Sequence, residues 1–155
     1  MLLLLIIADD FTGALDTGVQ FAAYGAATRV MVKDQVDFAS CDAQVLVVDT
    51  ETRHLPPEKA YQIVEELTRA ACRAGIRYIY KKTDSALRGN IGAELAAVLQ
   101  ASNNRQLPFL PAFPKLNRVT RNGVHYVDGV PVAESIFGQD PFEPVTVSFL
   151  PDILR

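Results

Sequence analysis

Apolar runs alternate with amphipathic segments along most of this chain. Leu2–Ala8 is continuously apolar, which is typical of a strand buried on both faces of a parallel sheet. The segment Thr12–Tyr24 has apolar residues at helical spacing, and Gly25 follows it as a C-cap glycine follows a helix. The pattern therefore begins with a strand, a polar turn and a helix.

The same alternation continues through the middle of the chain. Pro56 and Pro57 favour a helix start, because proline is tolerated in a first turn, and Gly75 marks the end of that helix. The other predicted elements are strands at Ala27–Val32, Gln44–Asp49, Ile76–Lys81 and Leu107–Phe113 and a helix at Ile91–Ala101. We expect an α/β fold, with a doubly wound, mainly parallel sheet and helices on both faces.

The pattern changes near the C-terminus. Val124–Val132 has Asp128 and Gly129 between two apolar runs, which predicts a β-hairpin appended to the main sheet. The remaining predictions are a polar stretch at 118–123, an extended connection at Gly138–Pro144 and a helix that begins within Ser148–Arg155 with Ser148 as its N-cap.

Composition narrows the class of protein. With 155 residues, 49% of them hydrophobic, residues 1–155 are long enough to bury a core and are interpreted as a single domain. The net charge of -3 and the scattered lysines and arginines argue against a nucleic-acid partner. Leu2–Ala8 is far shorter than the roughly 20 apolar residues of a membrane span. Cys41 and Cys72 are isolated thiols, which favours a cytoplasmic protein over a disulfide framework.

Two polar turns follow predicted strands and precede predicted helices, at Asp9–Gly13 and at Lys82–Asn90. Ligands of doubly wound sheets bind beyond the carboxyl ends of the strands, where the free N–H groups of a helix's first turn attract anions. Arg88 adds a planar fork that matches a carboxylate, the alternative being a salt bridge to a nearby aspartate. We therefore expect a site for a small anion at this edge of the sheet.

Three separated motifs carry a resemblance to a known family. Asp9–Asp16, Lys82–Asn90 and Pro111–Pro114, in this order and spacing, resemble the N-terminal domain of the four-carbon acid sugar kinases. The resemblance extends over essentially the whole chain, with one departure. Asn117 stands where the family has glycine, and we expect the turn to survive because asparagine tolerates a positive φ.

The resemblance implies an activity and a division of labour. The family phosphorylates threonate, erythronate or 3-oxo-tetronate with ATP, and its N-terminal domain binds the sugar acid. A separate C-terminal domain, which this chain lacks, carries the nucleotide site, so ATP and Mg²⁺ are expected in the full-length enzyme and not in this segment. Because the chain stops as a helix begins, we expect it to be a truncated N-terminal domain without kinase activity of its own.

The expected sugar-acid contacts come from the two polar turns and from the first turn of the helix that follows Asp9–Gly13. They are Asp9, Asp10, Thr12, Gly13, Asp16, Lys82, Asp84, Ser85, Arg88, Gly89 and Asn90. The proton of the acceptor hydroxyl is expected to pass to Asp84 or Asp10, or to a group in the other domain. Structural alternatives stay open: Asp9 and Asp10 as helix caps or strand ends, Asp16 as a residue stabilised by the helix dipole, and Lys82 as a solvated lysine.

Weaker signals lie elsewhere in the chain. The second-tier candidates for the site are Arg53, His54, Arg118, Thr120 and Arg121. A Mg²⁺ site at Asp9 and Asp10 is disfavoured, because the spacing that presents two carboxylates on one strand face is missing. His54 and His125 lack partners at zinc-ligand spacing, and no glycine-rich nucleotide fingerprint is present.

Two further hypotheses remain at this level. A non-catalytic module that binds or senses a sugar acid is the alternative to a kinase domain, whereas an oxidoreductase would need the missing glycine fingerprint. We also expect a homo-oligomer whose interface includes residues after Pro114, because apolar segments there lack an evident cover.

Overall fold

The computed structural model describes residues 1–33, 36–104 and 106–155 as an α/β fold. Its strands and helices follow one another in chain order. They are β1 (Leu4–Ala8), α1 (Phe11–Ala23), β2 (Thr28–Val32), β3 (Val45–Asp49), α2 (Pro57–Arg73), β4 (Tyr78–Lys82), α3 (Ile91–Ala101), β5 (Arg118–Arg121), β6 (Val124–Val127), β7 (Val130–Pro131) and α4 (Leu150–Ile153). Among these residues no helix is both long enough and apolar enough to cross a bilayer.

The first four strands form one parallel sheet in the order β2-β3-β1-β4. Helix α1 packs on one face, and α2 and α3 pack together on the other. Because both faces of β1 and β3 are covered, their side chains are apolar without alternation and almost all buried. Ala8 lies opposite Asp49 on one side and Lys82 on the other, so the turns after β1, β3 and β4 meet at one edge.

The predicted strands and helices of this first part are confirmed with one exception. Leu107–Phe113 was predicted as a strand, and this is wrong: residues 106–112 have no regular structure, and Phe113 makes only an isolated bridge to Arg118. Pro108 and Pro111 lack the N–H groups that a sheet ladder needs. The apolar content instead reflects packing, since Leu107 and Phe109 cover α3.

Strands β5, β6 and β7 form a separate antiparallel sheet. The predicted hairpin is confirmed, and Asp128 and Gly129 both have the positive φ of a type I′ turn. Residues 118–123 were predicted only as a polar stretch, whereas the structure places β5 there. The signal was Asn122-Gly123, the same kind of turn with φ values of 51° and 79°.

Two local predictions near the C-terminus need correction. Ser148 does not cap the last helix, because α4 begins after Phe149, and the Ser148 hydroxyl accepts from the Ala133 N–H instead. Gly138 lies in a 3₁₀ turn at Ile136–Gln139 and not in an extended connection. The prediction for Asn117 holds, since its φ of 53° is left-handed.

His125 joins the small sheet to the turn after β4. Its side chain is fully buried, with Nε2 2.9 Å from the Ser85 carbonyl oxygen and Nδ1 3.0 Å from the Thr120 hydroxyl. A carbonyl only accepts, so Nε2 donates to Ser85 and Nδ1 accepts from Thr120 in the neutral ring. Burial lowers the pKa of His125 below its usual 6.5, although the Ser85 carbonyl opposes this shift.

We predict that His125 stabilises the fold only above its usual pKa. The neutral ring is favoured in the folded state, so its contribution is present above pH 6.5 and is lost as the pH falls through the lowered folded pKa. His125→Phe should reduce the free energy of unfolding by about 1–3 kcal/mol at pH 7.5, because two buried polar groups lose their partner. The deficit should shrink in urea titrations as the pH is lowered below 6.5.

The exposed His54, whose Nδ1 lies 2.9 Å from Glu143, provides the matched control. His54→Phe should change the free energy of unfolding by less than about 0.5 kcal/mol, both at pH 7.5 and below pH 6.5. A deficit in His125→Phe that stays constant with pH would contradict the assignment of a neutral buried ring.

Candidate functional site

The turn after β1 is organised by a buried arginine from the turn after β3. Arg53 Nε lies 2.8 Å from Asp9 Oδ2, and its Nη1 lies 2.7 Å from Asp10 Oδ2. Burial disfavours the charge, but the hydrogen bond to Asp9 and the nearby aspartates outweigh it, so the pKa of Arg53 lies above its usual range. Arg53 was a second-tier candidate in the sequence, yet it is the residue that joins the two turns.

Two buried atoms of the group formed by Arg53, Asp9 and Asp10 lack a partner among the described residues. They are Asp9 Oδ1 and Arg53 Nη2, an acceptor and a donor on side chains that are nine-tenths buried or more. Unpaired buried polar atoms are costly in folded proteins, which makes them candidates for ligand or water contacts. A hydroxyl group can donate to one and accept from the other.

Asp10 has a structural role that is compatible with ligand binding. It is the N-cap of α1, where its Oδ1 accepts from the Gly13 N–H at 3.0 Å. Lys82 Nζ lies 3.8 Å from the same oxygen. A Cβ at Gly13 would lie 2.5 Å from Asp10 Oδ1, so only glycine allows this close approach. Thr12 and Asp16 are exposed on the first turns of α1, and their ligand contacts stay a prediction.

Arg88 forms the salt bridge that the sequence left open as its alternative role. Its Nε lies 2.7 Å from Asp84 Oδ2 and its Nη2 lies 3.3 Å from Asp84 Oδ1, so the fork is bidentate. Nη1 reaches Asp140 Oδ2 at 3.2 Å. Burial raises the pKa of Asp84, but the hydrogen bond from Arg88 outweighs it, and the net shift is downward. Asp84 is therefore ionised at neutral pH.

Arg118 reaches the same turn from the small sheet. Its Nη1 donates to the Ser85 hydroxyl, and its guanidinium lies 5.0 Å from the centre of the Phe137 ring, beside Arg88 at 5.2 Å. No carboxylate of the described residues lies within 4.0 Å of Arg118, and its Nε is buried without a partner. Among the arginines at this edge, Arg118 therefore keeps the most capacity for an anion.

Gly89 and Asn90 contact the turn after β3, which carries Arg53. Gly89 has a φ of 83°, and a Cβ there would approach Arg53 Cγ to 3.0 Å. Asn90 Nδ2 donates to the carbonyl oxygens of Thr52 at 2.9 Å and Leu55 at 2.8 Å, so its side chain holds the β3–α2 turn. Leu87, between the site residues, has a left-handed φ of 65°, which only tight surroundings maintain in such a residue.

Asp49, at the end of β3, is a buried carboxyl group that the sequence reasoning did not select. Burial raises its pKa to about 6, opposed by the Glu51 N–H that donates to Oδ1 at 3.1 Å. Its Oδ2 has no partner among the described residues. The available signal was its place at the end of an apolar strand, at the edge where Asp10 also lies.

The site lies at an edge of the sheet, and two cavities lie elsewhere in the described part of the chain. One, of about 220 Å³, is lined by residues such as Cys72 and Leu107, and the other, of about 330 Å³, by residues such as Phe38 and Leu67. Within the described residues no group of three or more histidine, cysteine or acidic side chains is arranged to hold a metal ion.

Comparisons with known proteins place this chain in a family. Residues 4–155 match the family model described as the sugar-binding N-terminal domain. The D-threonate kinase of Salmonella typhimurium is 40% identical over 97% of this chain and 36% of that kinase. The D-erythronate kinase of Heliobacterium modesticaldum is 34% identical over 96% of this chain and 35% of that kinase. The chain thus spans little more than a third of the length of these curated relatives.

A solved relative agrees in fold. The crystal structure of a domain of unknown function from Bordetella bronchiseptica, a domain-swapped dimer with bound citrate, superposes with a TM-score of 0.89 at 38% identity. The match covers 97% of this chain and 39% of that one. The resemblance seen in the three motifs is thereby confirmed: this chain belongs to the family of sugar-binding N-terminal domains found in the four-carbon acid sugar kinases.

Proposed function

We propose that this chain is the substrate-binding domain of an ATP-dependent kinase of a four-carbon sugar acid and that it binds the acid at the shared edge of β1, β3 and β4. One observation carries the proposal. Asp9, Asp10 and Asp84 surround Arg53 at this edge, and a buried acceptor and a buried donor of this group are left without partners. They are an acceptor and a donor, the two roles that a hydroxyl of a polyhydroxy acid can complement.

The carboxylate of the ligand requires a cation that is not already neutralised. Arg88 has carboxylate oxygens at all three of its nitrogens. Lys82 and Arg118 are less engaged, because Lys82 lies 3.8 Å from its nearest carboxylate oxygen and Arg118 has none within 4.0 Å among the described residues. We therefore assign the carboxylate to Lys82 and Arg118, while a direct contact from Arg88 stays a prediction.

ATP and Mg²⁺ require binding groups of their own. The described residues contain no group of three or more histidine, cysteine or acidic side chains arranged to hold a metal ion, and the sequence has no G-x-x-x-x-G-K-[ST] phosphate loop. We propose that ATP and Mg²⁺ are held mainly by another domain of the full-length protein. The contribution of this chain is then to bind and orient the acceptor hydroxyl, which is a large part of phosphoryl-transfer catalysis.

Asp10 and Asp84 remain the proposed acceptors of the hydroxyl proton. Asp84 is held ionised by Arg88, which makes it available as an acceptor but weakens it as a base. Asp10 shares its two oxygens between the Gly13 N–H and Arg53. Both carboxylates are therefore oriented before the substrate arrives.

We predict that Arg118→Gln weakens D-threonate binding by about 10- to 100-fold, the scale of a lost charge-assisted pair. Arg121→Gln is the matched control, because Arg121 lies on the same strand with an exposed side chain, and it should change the affinity less than about twofold. Titration calorimetry measures both variants. Binding of threitol, which has no carboxylate, should be equally weak in the parent and in Arg118→Gln.

Equal D-threonate affinities of Arg118→Gln and the parent would remove Arg118 from the site. Loss of threitol and threonate binding by the same factor would show a general disturbance of the site and not a carboxylate contact.

We also predict that the chain binds a sugar acid without phosphorylating it. A coupled assay of ADP release with D-threonate, ATP and Mg²⁺ should stay at background, because the sequence has no phosphate-binding loop and we assign ATP to another domain. ADP formed in step with consumption of D-threonate would show that the division of labour is wrong.

We further propose that the chain self-associates through residues after Pro114. Ile136 and Phe142 are 76% and 83% exposed, and we propose that both contribute apolar surface to this interface. The weight-average mass by light scattering should rise with concentration in the parent, and Ile136→Glu/Phe142→Glu should stay monomeric. Leu110→Glu, at an equally exposed position before Pro114, is the control that should still associate. A parent chain that is monomeric at high micromolar concentration contradicts this proposal.

A further inference from the structure

An ion pair is buried between β4 and α3, next to the candidate site. Lys81 Nζ, from β4, lies 2.8 Å from Glu94 Oε2, from α3, and each side chain is only 1% exposed. Taking two charges out of water is costly, and their mutual attraction often does no more than offset that cost. Stability alone is therefore a weak explanation for this pair. Lys81 and Glu94 pair with each other and with groups of the fold, so we assign neither of them a ligand contact.

Hydrogen bonds link the pair to the end of β4 and to the turn after β3. Lys81 Nζ donates to the Lys82 carbonyl oxygen at 2.7 Å, at the end of β4. Glu94 Oε1 accepts from the Thr52 hydroxyl, in the turn after β3. The Thr52 hydroxyl lies 2.8 Å from the Thr50 hydroxyl, but the Thr50 proton goes to the Ala8 carbonyl oxygen at 2.7 Å and the Thr52 proton goes to Glu94, so the hydrogen-bonded chain from the ion pair ends at Thr52.

The residues held by this network are the direct neighbours of the binding side chains. Thr52 precedes Arg53, and the N–H groups of both donate to the Asp9 carbonyl oxygen, at 3.0 and 3.2 Å. Lys82, whose carbonyl is fixed by Lys81, is one of the two cations assigned to the ligand carboxylate. A shift of the Thr52 turn would move Arg53 away from Asp9 and Asp10. Such a displacement of a binding residue would weaken ligand binding.

We propose that the Lys81–Glu94 pair is a positioning device that sets where Arg53 and Lys82 stand relative to Asp9 and Asp10. It acts through the Thr52 hydroxyl and the Lys82 carbonyl and makes no contact with the ligand. This inference rests on the proposed function, since it assigns to the pair a role in sugar-acid binding. An apolar pair of similar volume fills the same space without fixing either group.

The decisive variant is Lys81→Met/Glu94→Leu, which replaces the pair by apolar side chains. The urea midpoint should stay within about 0.5 M of the parent value, because such replacements are often neutral in stability. The D-threonate affinity should nevertheless fall at least about 10-fold, the scale of a displaced site residue. The single variants should lose both stability and affinity, because each leaves one buried charge unpaired.

A second readout is independent of the ligand. The Arg53 Nε–H group, bonded to Asp9 at 2.8 Å, gives its own signal in ¹⁵N NMR, and its exchange with water should accelerate at least about 10-fold in the double variant. Thr52→Val, which keeps the ion pair but removes the connecting hydroxyl, should produce the same acceleration in a folded protein. Glu65→Leu/Arg69→Met removes an exposed ion pair of the same 2.8 Å length on α2 and should change none of these values.

The outcomes separate this inference from the proposed function. A parent chain that binds no sugar acid would contradict the proposed function, while the Arg53 exchange rate still decides the positioning role. A double variant that keeps slow Arg53 exchange, that recovers parent affinity together with parent stability, or that fails to fold would overturn the inference. Unchanged exchange in Thr52→Val would overturn it as well.

Discussion

The parallel register of β1 with its two neighbours is the constraint on which the rest of this structure depends. Ala8 is aligned with Asp49 in β3 and with Lys82 in β4, so three polar turns start from the same level of the sheet. Hydrogen bonds between the parallel strands fix this alignment. The register therefore determines where the site residues lie relative to one another.

Charged side chains at this edge form several ion pairs. Lys81 pairs with Glu94 in the interior, and Arg53 is shared between Asp9 and Asp10. Arg88 is occupied by Asp84 and Asp140, which joins the first sheet to the segment after the small sheet. The cations with remaining capacity, Lys82 and Arg118, come from different sheets. A ligand that engages both of them would bridge the two parts of the fold.

Much of this arrangement could be predicted from local sequence patterns. The uninterrupted apolar pattern of Leu2–Ala8 indicated a doubly covered strand, and Asp128-Gly129 identified a hairpin because its turn needs positive φ values. The failures have equally local causes. The prolines within Leu107–Phe113 argue against a strand more strongly than its apolar residues argue for one. Asn122-Gly123 is a hairpin turn signal that was missed because the residues around it are polar.

The partners of charged side chains could not be predicted in the same way. Lys82–Asn90 was identified as a site segment, but nothing in it shows that Arg88 is saturated by Asp84 and Asp140. Arg53 and Glu94 depend on contacts with residues more than 40 positions away, which a single sequence does not reveal. Turn chemistry is a local property, whereas the pairing of charges is decided by the tertiary fold.

A crystal structure of this chain with D-threonate tests the central claim most directly. We predict that the ligand carboxylate lies within about 3.2 Å of Lys82 Nζ or of an Arg118 nitrogen. A ligand hydroxyl group should lie at hydrogen-bond distance from Asp9 Oδ1 and Arg53 Nη2. A ligand bound in either of the two cavities, or one whose carboxylate contacts neither Lys82 nor Arg118, would contradict it.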